Sequence, residues 1–190
     1  RTALLEDLAE DDSVSAVIVA INSPGGTTAG GEELYASLRA LAEQKPVVST
    51  IGELGASAAY MAAIATDRIY ARNLSIVGSI GVYYQHVDAS GLFETLGVDL
   101  DKVASGPLKG KPDFDEPISP QVRDSLAELV DSSYRYFVDL VVERRGLTRP
   151  ETLALADGRI LSGIMAIDAG LIDAAGGETE ALAWLQAERE

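Results

Sequence analysis

The stretch Gly55-Ala56-Ser57-Ala58-Ala59-Tyr60 sets a serine between a short β-branched run at 46–51 and an alanine-rich segment at 58–65. A serine so placed stands where a strand ends and a helix begins. Free backbone N–H groups point past the first turn of a helix, and the helix dipole favours negative charge there. Both suit a hydroxyl that attacks a carbonyl beside a developing oxyanion. The small neighbours Gly55, Ala56, Ala58 and Ala59 let a substrate backbone come close. Taken alone, the hexapeptide reads equally as an N-cap serine opening a packing helix. A second candidate is Asn22-Ser23-Pro24-Gly25-Gly26, which ends the apolar run at 15–21. Its glycine amides can serve as an oxyanion hole, or the segment is simply a tight turn. Residues 25–31 fit neither the dinucleotide fingerprint nor a phosphate loop ending in Gly-Lys-Ser/Thr.

A serine nucleophile needs a base. His86, the single histidine, allows a Ser/His/Asp triad with Asp88 close in sequence. The other route is a neutral lysine, which needs an apolar setting free of counter-charge. Four lysines are available. Lys45 precedes Pro46 at a helix end, and Lys102 sits among Asp99 and Asp101. Lys109, in Ser105-Gly106-Pro107-Leu108-Lys109, has small and apolar neighbours, and Lys111 competes with it two residues on. The absence of cysteine excludes a thiol nucleophile and disulfides, and one histidine excludes a His-rich metal site. A net charge of −15 argues against nucleic acid as partner. No run of 18 apolar residues spans a membrane.

The elements that must hold these residues follow from periodicity. Residues 15–21 read as a strand buried on both faces. Leu34, Leu38 and Leu41 mark one face of a helix that Pro46 ends. Strand, glycine turn, helix, strand, serine turn, helix is the order of a parallel α/β arrangement. Further strands are predicted at 67–71 and 98–103, with an apolar, glycine-interrupted stretch at 75–84 and a short helix at 87–96. Residues 105–117 form a long loop, the kind that often carries function. Ser119 as N-cap and Pro120 as first helical residue open a helix to Arg145. Short helices follow at 151–156, 162–169 and 178–187. The long helix carries Tyr134, Tyr136, Phe137, Val138, Leu140, Val141 and Val142, more apolar circumference than one core stripe uses, which predicts a partner surface. Arg1 opens in mid-pattern, so the chain reads as a fragment whose N-terminus was removed.

Taken in order, 21–26, 55–60, Val77-Gly78-Ser79-Ile80-Gly81-Val82, 105–109, Asp157-Gly158-Arg159 and Gly170-Leu171-Ile172-Asp173 resemble the signal peptide peptidase A family of Ser/Lys-dyad proteases, across nearly the whole chain. The resemblance implies an α/β fold, a Clp protease/crotonase-like spiral of ββα units with C-terminal helices, forming one catalytic domain over 1–190. It implies Ser57 as nucleophile, Lys109 as general base and Ser79 as the serine that orients the lysine. Gly25 or Gly26, with the amide of Ala58, would form the oxyanion hole. No metal or cofactor is implied. Expected substrates are remnant signal peptides or other unfolded segments. The expected parent is a homo-oligomer enclosing its sites, anchored in the bacterial inner membrane with an extracytoplasmic catalytic domain. Two departures stand out. Ala58 and Ala59 replace the glycines that often follow the family's serine, so a methyl group lines a place usually bare. The family's opening strand and anchor are not in this sequence. Rival readings are a phage head-maturation protease, a crotonase-type acyl-CoA enzyme, and an inactive assembly scaffold. Asp157, Gly158 and Arg159 read as structural, with Arg159 pairing a carboxylate.

Overall fold

The computed structural model describes residues 2–187. They form two compact units: one takes in the chain up to Gly81 together with Arg135 onward, and the other is Val82–Tyr134. The first unit opens with α1 (Thr2–Glu10), β1 (Val17–Ser23), α2 (Thr28–Ala42), β2 (Val47–Ala56), α3 (Ala58–Ala63), β3 (Arg68–Ala71) and β4 (Ile76–Gly78). The second holds α4 (Ser90–Leu96) and the start of α5 (Pro120–Arg145). After α5 come α6 (Arg149–Leu155), β5 (Ile160–Ser162), α7 (Gly163–Asp168), β6 (Ala174–Ala175) and α8 (Glu178–Ala187).

β2 is the strand on which the sheet is built. Val47, Val48, Ser49, Thr50 and Ile51 are all buried, as a parallel strand covered on both faces requires. β1, β3 and β4 all pair with it in parallel. Gly55 is in register with both Ser23 and Val77, so β1 and β4 flank β2 on opposite edges. Its first half pairs with β3 instead, through Val48 to Ile51. β2 thus changes neighbour along its length, which curls the sheet. β5 closes onto β4 antiparallel and β6 onto β3 parallel.

α2 buries Gly31, Tyr35, Leu38 and Leu41, so Leu38 and Leu41 lie on the buried face as their spacing indicates while Leu34 is only half-buried at its margin. α8 sets Ala181 and Leu185 against Val48 and Tyr70, with Ala16, Ile18 and Trp184 around them. Ser119 Oγ accepts the Val122 N–H at the start of α5, as its N-cap position predicts. Thr148 and Glu151 form a reciprocal capping box on α6, and Ser162 caps α7.

Three expectations change. β1 is not buried on both faces: only Ile21 of it is buried, and among the described residues β1 is an edge strand paired with β2 alone. Residues 98–103 form no strand; they are exposed, and no neighbouring strand pairs with them among the described residues. The apolar circumference of α5 is largely used within the chain, since Phe137, Val138, Leu140 and Val141 are buried in the first unit. No helix among the described residues is long and apolar enough to cross a membrane.

Candidate active site

The carboxyl ends of β1, β2 and β4 bring five of the six singled-out residues together. Ala56 ends β2 and Gly78 ends β4, and the two are register partners, so Ser57 and Ser79 leave adjacent strand ends side by side. The Ser57 N–H donates to the Gly78 carbonyl at 2.9 Å, which ties the two turns directly. Ser57 has φ 54° and ψ −127°, and Ser79 has φ 51°. Among the described residues these are the only non-glycine positions with positive φ. A side chain held in such a conformation costs about 1–3 kcal/mol and persists where its surroundings over-determine it.

Ser57 occupies the N-cap position of α3, but its side chain makes no capping hydrogen bond. The N-cap reading therefore fails on geometry. Ser57 itself is half-buried.

The loop after β1 closes onto this turn. Gly25, at φ 112°, lies so near that an added Cβ would come within 2.8 Å of the Ser57 Cβ and 3.0 Å of the Ala58 nitrogen. Only glycine tolerates both the dihedral and the approach. Its own N–H donates to Ser23 Oγ at 3.2 Å. The Gly26 N–H has no partner among the described residues, and a Cβ there would meet nothing within 4 Å. Ala58, first residue of α3, brings an amide that the helix leaves unpaired. Of the two glycines, Gly26 is thus the one with a free donor. Asn22, given no role of its own within the Asn22–Gly26 segment, holds the loop in place. β1 and β2 lose register between Ile21 and Ser23, and Asn22 Oδ1 accepts the Leu54 N–H there at 3.1 Å. A polar amide closing an apolar strand was the available signal.

The Ala58 methyl, where the family often has a bare α-carbon, packs inward. It faces α2, where a Cβ on Gly31 would meet it at 2.9 Å. The rest of α3 is fixed by buried donors. Tyr60 is fully buried and its hydroxyl donates to the Leu171 carbonyl at 2.7 Å; burial pushes its phenol above the usual range. Arg144 donates to the carbonyls of Ile64 and Thr66, and Arg39 to that of Ala65, so cations satisfy the end of the helix. Arg145 bonds the Gly170 carbonyl and the Asp173 carboxylate, and Asp173 accepts the Ile69 N–H. The Gly170–Asp173 motif is therefore a structural hub behind the serine turn.

Ser79 is fastened from the other side. Its N–H donates to the Arg159 carbonyl at 2.8 Å, and the Gly158 N–H to the Ile80 carbonyl at 3.1 Å. Arg159 pairs with Asp157 through Nε at 2.7 Å and a terminal nitrogen at 2.6 Å, as a structural reading expects. Those hydrogen bonds hold the Asp157 carboxyl down at about 2.

Lys109 lies in the second unit. It ends a turn in which its N–H donates to the Gly106 carbonyl at 3.1 Å, and its side chain is exposed, so its small and apolar sequence neighbours do not supply the apolar setting expected of a lysine base. The other lysines are engaged: Lys102 with Asp113, Lys111 with Glu116, and Lys45 with the carbonyls of Leu8 and Asp11. Lys109 alone has no carboxylate or carbonyl partner for its amine among the described residues. His86 Nε2 sits 3.2 Å from the Glu116 carbonyl oxygen, within its own unit.

A strained serine between paired strand ends, with a glycine loop folded onto it, invites comparison with known hydrolases. The family model of peptidase family S49 matches residues 39–190. The chain belongs to peptidase family S49. An archaeal protein of Methanocaldococcus jannaschii, provisionally named a protease, is 39% identical over 183 residues, 96% of this chain and 59% of that protein. The chloroplastic serine protease SPPA of Arabidopsis thaliana is 29% identical over 180 residues, 94% of this chain and 27% of the plant protein. The head-tail preconnector protein of Enterobacteria phage P21 is 31% identical over 171 residues, 90% of this chain and 34% of the phage protein. The S49 chain thus spans less than two thirds of each of these relatives. The kinship with the signal peptide peptidase A family that the motifs indicate holds, and the S49 chain has the Clp protease/crotonase-like α/β fold expected of it.

Proposed function

We propose that this S49 chain is the catalytic part of a serine endopeptidase in which Ser57 is the nucleophile and Lys109 the general base. One observation carries the reading. Ser57 stands in a strained turn, its hydroxyl free of any capping role, with the Gly25-Gly26 loop hard against it. A packing helix has no use for that strain. The Lys109 amine takes the Ser57 proton as Oγ attacks the scissile carbonyl carbon. The amides of Gly26 and Ala58 receive the oxyanion, and Gly25 provides the close approach. The lysine ammonium then protonates the leaving nitrogen, the C–N bond breaks, and an acyl-enzyme remains. Water, deprotonated by the same amine, attacks the ester and frees Ser57. Ser79 orients the lysine. The freedom of the Lys109 amine supports it over Lys102 and Lys111, since a lysine engaged by a carboxylate is not available as a base.

The substrates of this reading are extended, unfolded peptides, remnant signal peptides among them. The parent is a membrane-anchored homo-oligomer that works outside the cytoplasm. Similarity to a phage head-tail preconnector protein keeps a phage head-maturation protease as the second reading. The experiment is intact-mass analysis after incubation with a fluorophosphonate, alongside hydrolysis of an unfolded protein substrate. We expect one adduct on Ser57, none in Ser57→Ala, and turnover lost by at least a hundredfold in Lys109→Ala while His86→Ala and Lys111→Ala keep most of it, the range general-base removal produces being about 10²–10⁴. Absence of an adduct favours the acyl-CoA or scaffold readings. Loss of activity in a folded His86→Ala chain rejects the lysine in favour of a triad.

A further inference from the structure

The helix that carries the serine turn rests on a glycine that helix physics does not explain. Gly31 lies within α2, and a glycine inside a helix costs about 1 kcal/mol relative to alanine. Gly30 beside it is exposed, whereas Gly31 is buried. A Cβ built on Gly31 would fall 2.9 Å from the Ala58 Cβ, 3.2 Å from Met61 Sδ and 3.4 Å from the Ala58 Cα. Met61 can yield by rotating its side chain, but the Ala58 methyl is fixed to backbone. That backbone includes the first amide of α3 and follows Ser57 directly. A methyl on Gly31 can be admitted only by a shift between α2 and the start of α3, whose other end is tied to Arg39 and Arg144 and whose middle is tied to Leu171 through Tyr60.

We propose that Gly31 is a positioning residue for the nucleophile turn. It acts through the Ala58 methyl, so that the pair Gly31/Ala58 behaves as one unit in which only one member carries a side chain. The inference rests on the reading of Ser57 as nucleophile and Ala58 as oxyanion donor. It also accounts for the departure at position 58: the methyl that replaces a hydrogen there is accommodated by the bare α-carbon opposite.

The test compares Gly31→Ala in two backgrounds, wild type and Ala58→Gly, by the rate of fluorophosphonate labelling at Ser57, by kcat and KM on a peptide substrate, and by thermal melting. A displaced reacting group of this kind costs up to about a hundredfold. We expect Gly31→Ala to slow labelling and kcat by about tenfold or more in the wild-type background with KM little changed, and by less than about twofold when Ala58 is already glycine. An equal factor in both backgrounds, or no loss in either, overturns the proposal. If Gly31→Ala alone fails to fold while Gly31→Ala/Ala58→Gly folds and labels, the coupling is read from folding instead. If neither folds, the conflict is not with the Ala58 methyl and the proposal falls. Absence of labelling in the wild type refutes the nucleophile rather than the contact, whose non-additivity is then read from the melting temperatures.

Discussion

Ser57 and Ser79 share one backbone peculiarity and, on the proposed mechanism, divide the work. Both hold positive φ at neighbouring strand ends, both are half-buried, and each has its N–H fixed by a carbonyl of another strand or loop. Only one can be the nucleophile. The turn at Ser57 is the one that receives the glycine loop and opens a helix, so Ser79 is left to orient the base. Ser79→Ala should therefore lower turnover by about tenfold or more while the fluorophosphonate still marks Ser57, because the probe needs the nucleophile more than it needs a well-placed lysine. Wild-type kinetics in that variant would reduce Ser79 to a packing residue. The strain gives a second handle. At φ 51° glycine is at ease where alanine is not, so Ser79→Gly should be more stable than Ser79→Ala by about 1 kcal/mol, with turnover equally impaired. Denaturant melts of the two variants measure it, and an alanine variant as stable as the glycine one would show that the turn is not strained.

Between the elements, α3 shows what sequence could reveal and what it could not. Its place after β2 was legible because Pro46 and Gly55 punctuate a β-branched run, and an alanine-rich stretch follows. The strand-turn-helix order of the first unit came from the same signals. The short strands β5 and β6 left no periodicity to read, being three and two residues long, and their partners β4 and β3 lie far away in sequence. Val98, Leu100 and Val103 imitate an alternating strand, yet pairing is a property of neighbours and none is there. Of the candidate site, the serine and its glycine loop were legible from residue types, and Ser79 only through the family resemblance. The seat at Gly31 and the tie between Tyr60 and Leu171 were not, because contacts between distant segments leave only a glycine or a tyrosine behind. That tie has a measurable consequence. Tyr60→Phe leaves the buried Leu171 carbonyl without its donor and should cost about 1–3 kcal/mol in denaturant unfolding. Tyr60 also links folding to pH. Its folded pKa is raised by burial above that of the unfolded chain, so its contribution is fully present below about pH 10 and is lost as pH climbs toward the folded value. Each such tyrosine steepens the alkaline loss of stability by about 1.4 kcal/mol per pH unit. Tyr60→Phe should remove that much slope above pH 10. Parallel stability–pH curves for the two proteins would show that the phenol is not protected by the fold.

For the whole molecule the proposed chemistry raises a problem of access. A serine between small-residue walls does not by itself spare folded neighbours, and enclosure in a ring of subunits would admit only extended chains. The helix α5, whose apolar circumference first pointed to a partner, spends Phe137, Val138, Leu140 and Val141 on its own core. Exposed apolar side chains gather instead in the second unit, where Tyr83 is 84% and Val103 97% exposed, with Val87, Leu92 and Leu96 also open. Large apolar surface left open is the usual mark of a partner. A net charge of −15 opposes the approach of identical copies, and salt screens that repulsion without weakening apolar contact. Self-association should therefore strengthen as ionic strength rises, and Tyr83→Asp with Val103→Asp should disperse it while leaving the fluorophosphonate reaction of Ser57 in place. Light scattering at micromolar concentration across a salt series reads this directly. A protein that remains monomeric at every ionic strength, yet degrades unfolded and spares folded substrates, would sink the enclosure argument and leave selection to the exposed loop that carries Lys109.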